Sequence, residues 1–167
     1  MKWVTRQHVS VDRTACPWLI RKFVDPRAEF IFVPVEQIQK VAKREKAIPF
    51  DAPAVELGHH GDKVSFDAII EKYKINDPAV LELAKIVRAV DTHHPEASPE
   101  GPGLKALVAG TVTLAKDDNE AVAKTSQIYD AFYTNCKLNV IREKYQKEVE
   151  KMDKEHRIEF LKKKLME

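Results

Sequence analysis

The sequence predicts an α+β protein, predominantly helical, in which a small N-terminal sheet with a strand-helix-strand start is followed by a helical bundle and a long C-terminal helix. Three observations predict it. Two short runs rich in β-branched and aromatic residues, 2–5 and 29–33, flank one helical stripe of apolar residues. Proline is absent after Pro102 and glycine after Gly110. From Asp117 onward, apolar residues keep helical spacing among alternating charges. With 167 residues and 44% hydrophobic content, the chain can bury a core of about one domain.

The elements follow in order. Lys2 to Thr5 reads as a short strand. Ala15, Trp18, Leu19 and Phe23 recur at helical spacing until Asp25-Pro26 stops them, with Asp12 or Thr14 as the cap. Glu29 to Val33 is a buried strand bounded by Pro34, and Glu36 to Lys46 returns to helix through Ile38, Val41 and Ala42. This order makes the first two strands parallel, joined by a right-handed crossover. Ile48 to Asp62, with Pro49, Pro53 and Gly58, is extended or looped. Ser65 to Tyr73 carries the helical stripe Phe66, Ile69, Ile70 and Tyr73. Asp77-Pro78 pairs an N-cap with proline at the first helical position and opens a helix running to Asp91. Pro95, Pro99, Gly101, Pro102 and Gly103 make one irregular connection, and the remainder is helical, with Asp117 and Glu120 at capping-box spacing. Residues 1–138 form the domain. Residues 139–167 are a charged helical tail with one apolar seam, either part of that domain or an oligomerisation helix for a homodimer.

A net charge of +2 among 32% charged residues gives no global field toward nucleic acid or a membrane surface, so nucleic acid is not an expected partner. Arg6, Asp12 and Arg13 interrupt the start where a signal peptide needs an apolar run, and no stretch approaches the roughly 18 apolar residues of a membrane span. The expectation is a cytoplasmic protein. Its two cysteines, Cys16 and Cys136, lack CxxC spacing and are expected to stay reduced.

Three constellations carry chemistry. Val55-Glu56-Leu57-Gly58-His59-His60-Gly61-Asp62 crowds a carboxylate and two imidazoles between two of the chain's five glycines. Glu56 and His59 have the Glu-x-x-His spacing of bundle metal sites, although Gly58 and Gly61 oppose a regular helix there; solvated loop histidines are the alternative. Asp91-Thr92-His93-His94 ends the preceding helix, where a carboxylate opposes the helix dipole by roughly 0.3–1 kcal/mol and needs compensation. That compensation comes from Arg88 one turn earlier, from a metal ion, or from a histidine of the glycine segment. A divalent zinc, manganese or iron ion held by Glu56, His59 and Asp91, with Asp67, His60 and His93 as further donors, matches a carboxylate-imidazole set. In Asp12-Arg13-Thr14-Ala15-Cys16-Pro17-Trp18, Pro17 at a first helical turn sets Cys16 near a helix N-terminus; with Arg6, Arg13 and Arg21 this forms an oxyanion pocket, or else Cys16 is simply buried beside Trp18. Trp18, Tyr129 and Asp130 line the pocket or pack the core.

Trp3-Val4-Thr5-Arg6, Asp12 to Arg21, Phe32-Val33-Pro34, Val55 to His59, Ser65-Phe66-Asp67-Ala68, Ile86-Val87-Arg88 with Asp91-Thr92, Gly103-Leu104 and Tyr129-Asp130-Ala131 together resemble the ChrB C-terminal domain of the chromate-resistance protein family, over about residues 2 to 136. The resemblance implies a part in chromate resistance, as a stand-alone domain or as the sensory half of a chromate-responsive regulator. With no DNA-binding segment expected ahead of Trp3, the expected form departs from the regulator. The expected function is a domain binding a divalent metal, an oxyanion such as chromate, or both. The alternatives are a metal-dependent hydrolase or thiol-assisted reductase, with Glu56, Asp67 and Cys16 as catalytic candidates, and an interaction module without catalysis.

Overall fold

A computed structural model describes residues 1–167, the Pro95 side chain excepted. Three strands, β1 (Lys2–Arg6), β2 (Glu29–Val33) and β3 (Ile48–Pro49), form a parallel sheet in the order β2-β1-β3. Lys2 pairs with Glu29 and Arg6 with Val33, while Trp3 and Val4 pair with Ile48 and Pro49 on the other side. The expected parallel pairing of the first two strands is present, and part of the 48–62 segment adds a third. β3 escapes detection because two residues carry no periodicity.

The central strand alternates, as a strand buried on both faces must. Trp3 points into the main core with α1 (Val11–Phe23), α3 (Ser65–Tyr73), α4 (Pro78–Asp91), α5 (Gly101–Thr113) and α6 (Asp118–Lys144). Val4 points the other way, into a smaller cluster with Ile38 and Val41 of α2 (Ile38–Glu45) and with Ala52 and Val55. α4 starts as expected, the Asp77 carboxylate accepting from the Ala79 and Val80 amides at 2.8 and 3.1 Å. α6 starts with Asp117 accepting from the Glu120 amide at 2.8 Å. The Asp118 carboxylate, in the first turn of α6, also clamps the loop after β1 by accepting from the His8 and Val9 amides.

Two expectations change. α1 begins at Val11 with Ser10 as its cap, so Pro17 lies inside the helix and Cys16 in its second turn, away from the exposed amides of the N-terminus. Pro17 has no N–H to give the Arg13 carbonyl, yet α1 continues through it, with the Cys16 side chain fully buried. The tail is not one solvated helix: after a break at Tyr145 come α7 (Gln146–Val149) and α8 (Lys154–Met166), and α8 packs back on α6. Its apolar seam is used within the chain, with Tyr145 and Phe160 edge to face at 5.5 Å and Val149 and Leu161 buried. Among the described residues no helix is long and apolar enough to cross a membrane.

Between β3 and α3 the chain folds on itself: the Phe50 amide donates to Val4 O at 3.0 Å, continuing the sheet, and the Asp51 amide donates to Leu57 O at 2.9 Å. The close approach requires Gly58, where a Cβ would lie 2.9 Å from Ala52 O and 3.1 Å from Val55 O. Gly58→Ala is expected to cost about 1–3 kcal/mol, read as a lower thermal midpoint, with the neighbouring His59 ring resonances displaced. An unchanged midpoint and unchanged ring shifts contradict this packing.

Candidate functional site

In a parallel sheet whose central strand is paired with later strands on both sides, the loops leaving the C-terminal strand ends splay apart and leave a crevice. Here that crevice lies beyond β1 and β3. Arg6 ends β1, Asp12 stands in the first turn of α1, Asp51 follows β3 by two residues, and Asp91 ends α4. His59 comes from the loop folded over Gly58.

Asp12 is almost fully buried, at 1% exposure. Its carboxylate accepts from the Ser65 and Phe66 amides at 2.9 and 3.1 Å, capping α3 from another helix, and from the Cys16 thiol at 3.3 Å. Asp51, equally buried and with a left-handed φ of 43°, accepts from Arg6 Nη2 and Arg13 Nη1, both at 3.0 Å. Arg6 Nε also donates to the Asp51 carbonyl at 2.8 Å. His59 Nε2 lies 3.4 Å from Asp12 Oδ2, 3.4 Å from Asp51 Oδ1 and 3.2 Å from Asp91 Oδ2. The first turn of α1 is fixed from behind by Tyr129, whose hydroxyl donates to Val11 O at 2.9 Å and meets Thr14 Oγ1 at 2.7 Å.

Two groups of the cluster, Asp91 and His59, are shifted upward. Burial, followed by the charges of Asp12 and Asp51, pushes the Asp91 carboxyl up to about 6. Hydrogen bonding to Asp12 raises His59, against its partial burial. Donor atoms of Asp12, His59 and Asp91 lie within 4.8 Å of one another, an arrangement able to surround one cation with two carboxylates and an imidazole. Such a donor set fits zinc, manganese or iron.

Of the residues singled out in the sequence, the structure brings His59 and Asp91 together. Asp91 is compensated by His59 and not by Arg88, whose guanidinium instead makes a two-pronged pair with Asp67, at 2.9 and 2.6 Å. Asp67 also accepts from the Val64 amide at 3.1 Å, so it serves the start of α3 and stands outside the cluster. Glu56 stands apart as well: its exposed carboxylate pairs with Lys72, and the expected meeting of Glu56 with Asp91 does not occur. His60 is exposed and bonded to the Glu56 carbonyl, His93 is exposed on a left-handed residue, and His94 pairs with Glu96.

The oxyanion candidates divide in the same way. Arg6 and Arg13 reach the crevice, both committed to Asp51. Burial first, then the Asp12 charge, holds Cys16 well above the usual thiol range, the opposite of an activated thiolate. Arg21 lies at the far end of the sheet, its guanidinium 4.9 Å from the Phe30 ring centroid and facing Ala28 O. Trp18 donates to Asp130 at 3.0 Å and packs at 6.1 Å from Tyr129, supporting α1 on α6.

Asp12 and Asp51 are the residues that sequence reasoning missed as site members. Asp12 had a signal, an acid at the start of an apolar-striped helix; Asp51, beyond a two-residue strand, had none.

The chain matches the family model described as ChrB, C-terminal domain, over residues 3–136. It is 30% identical over 135 residues to Protein ChrB of Cupriavidus metallidurans, an alignment covering 80% of this chain. The chain spans 40% of that relative's length. No solved structure matches it. The DRTACPWLI segment that resembles the family is the helix bearing Asp12, Arg13 and Cys16, and the family match spans the crevice from Arg6 to Asp91. The chain belongs to the ChrB C-terminal domain family of chromate-resistance proteins.

Proposed function

We propose that this chain binds one divalent cation through Asp12, His59 and Asp91, and that this centre is its contribution to chromate resistance in the cytoplasm. The observation that carries the reading is the convergence of those three donors in a crevice at the C-terminal edge of the sheet. Charge supports it. Asp12, Asp51 and Asp91 face two guanidiniums, Arg6 and Arg13, leaving one negative charge in a partly buried place. Without a cation the cluster satisfies itself by retaining a proton on His59 or Asp91; a divalent ion replaces that proton and adds a second charge.

An oxyanion alone has weaker support, because it would meet three carboxylates and arginines already bonded to Asp51. A bound cation reverses the local sign. A small oxyanion such as chromate would then approach through the cavity of about 530 Å³ lined by Arg6, Asp51, His59 and His60. A thiol-assisted reductase is disfavoured by the burial and raised pKa of Cys16.

Titration of the metal-free chain with Mn²⁺ or Zn²⁺, followed by calorimetry and elemental analysis, is expected to give one ion per chain. Asp91→Asn and His59→Ala should weaken binding by about 100-fold or more, whereas Glu56→Gln should leave it unchanged. Equal losses in all three variants, or none, would remove the assignment.

The same cluster sets a pH dependence. The Asp91 carboxyl and the His59 imidazole both have raised folded-state values, so each contributes stability at low pH that is lost as pH rises: for Asp91 between about 4 and about 6, for His59 above its ordinary value near 6.5. In thermal melts of metal-free protein, the wild type is expected to lose more stability between pH 4.5 and 7 than Asp91→Asn does, and saturating Mn²⁺ should restore stability at the upper end. Parallel pH profiles for the two proteins would contradict it.

A further inference from the structure

Beside the cluster lies a second cavity of different character, of about 360 Å³. It runs between the start of α1 and the facing sides of α4 and α5; Val9, Val11, Val90, Val108, Ala109 and Val112 make most of its wall, with Ser10, His93 and Thr113 also lining it. Apolar walls of this kind bind the hydrocarbon part of a small ligand, and the volume suits a small organic molecule. Asp91 itself is part of the wall, and so is the exposed Lys105, the only charged residue of α5. The cavity therefore has a largely apolar wall, one residue in common with the proposed metal centre, and one lysine in its lining.

Charge selects the rest of the ligand. Without a divalent ion, three carboxylates face two guanidiniums and this wall gives an anion no attraction. With a divalent ion held by Asp12, His59 and Asp91, the three carboxylates are outweighed by the ion and the two arginines, leaving a net positive charge at the cavity wall, with Lys105 adding to it. We infer that the valine-lined cavity between α1, α4 and α5 is a binding site for a small apolar carboxylate, whose hydrocarbon body fills the cavity and whose anionic end is drawn by the cation-loaded cluster. This rests on the metal reading above and extends it: the ion acts as the anion-attracting wall of an organic-ligand site.

The test uses 4-phenylbutyrate as the probe and uncharged 4-phenylbutan-1-ol as its counterpart, each titrated by NMR chemical-shift perturbation into metal-free and Zn²⁺-loaded full chain. The acid is expected to bind about tenfold or more tightly once the ion is present, the alcohol to bind equally in both states, and shifts to map to Val90, Val108 and Val112. Ala109→Trp, which fills the cavity, should abolish binding of both probes while retaining the ion affinity, which also shows that the variant is folded. If the ion binds but the acid gains nothing over the alcohol, or if Ala109→Trp still binds the acid, the cavity inference is overturned and the metal centre stands. If the wild type takes up no ion, the metal reading falls and this inference with it.

Discussion

One buried carboxylate, that of Asp12, joins the parts of the molecule that make the site. A carboxylate taken from water costs several kcal/mol unless its oxygens are satisfied. Asp12 is satisfied by the first amides of α3, by the Cys16 thiol, and by the approach of His59. Those bonds tie α1 to α3 and place α3's positive end against the charge, where the helix dipole is favourable. Tyr129 holds the same turn of α1 from the α6 side. The first turn of α1 thus cannot move without breaking contacts to two other helices.

Around that fixed point the crevice is tuned by a second buried acid. Asp51 takes both Arg6 and Arg13, aligning the end of β1 with the start of α1 across the opening. It also adds the negative charge that raises Asp91 and helps hold a proton on His59. The arginines are therefore a counter-charge for the acids, and the cluster stays close to neutral only with a proton or a cation in it. The separation of polar and apolar cavities on either side follows from the elements that wall them: the 51–60 loop on one side, the valine faces of α4 and α5 on the other.

The helical architecture was legible because its signals are local. Asp77 before Pro78 and Asp117 before Glu120 cap the helices they announce, and the Glu29 to Val33 run is the strand its composition indicates. The site was legible only in part. His59 and Asp91 stand out as chemistry-bearing residues next to a glycine turn and at a helix end. Glu56 stands out equally by spacing, but its exposed carboxylate pairs with Lys72 of α3 instead. Asp12 was visible as a helix-start acid and Asp51 as nothing at all, because their meeting depends on pairing β3 with β1 over more than 40 residues of chain, which no short window encodes. Arg88 next to Asp91 in sequence looked like its partner, yet the choice between Asp91 and Asp67 is made by where α3 docks on α4.

The central claim is that Asp12, His59 and Asp91 share one cation. Anomalous diffraction from crystals grown with Mn²⁺, recorded above and below the manganese edge, tests it directly. The predicted result is a single strong anomalous peak at about 2.0–2.3 Å from an oxygen of Asp12, His59 Nε2 and an oxygen of Asp91. A peak on other residues, or none with manganese at saturating concentration, would contradict it.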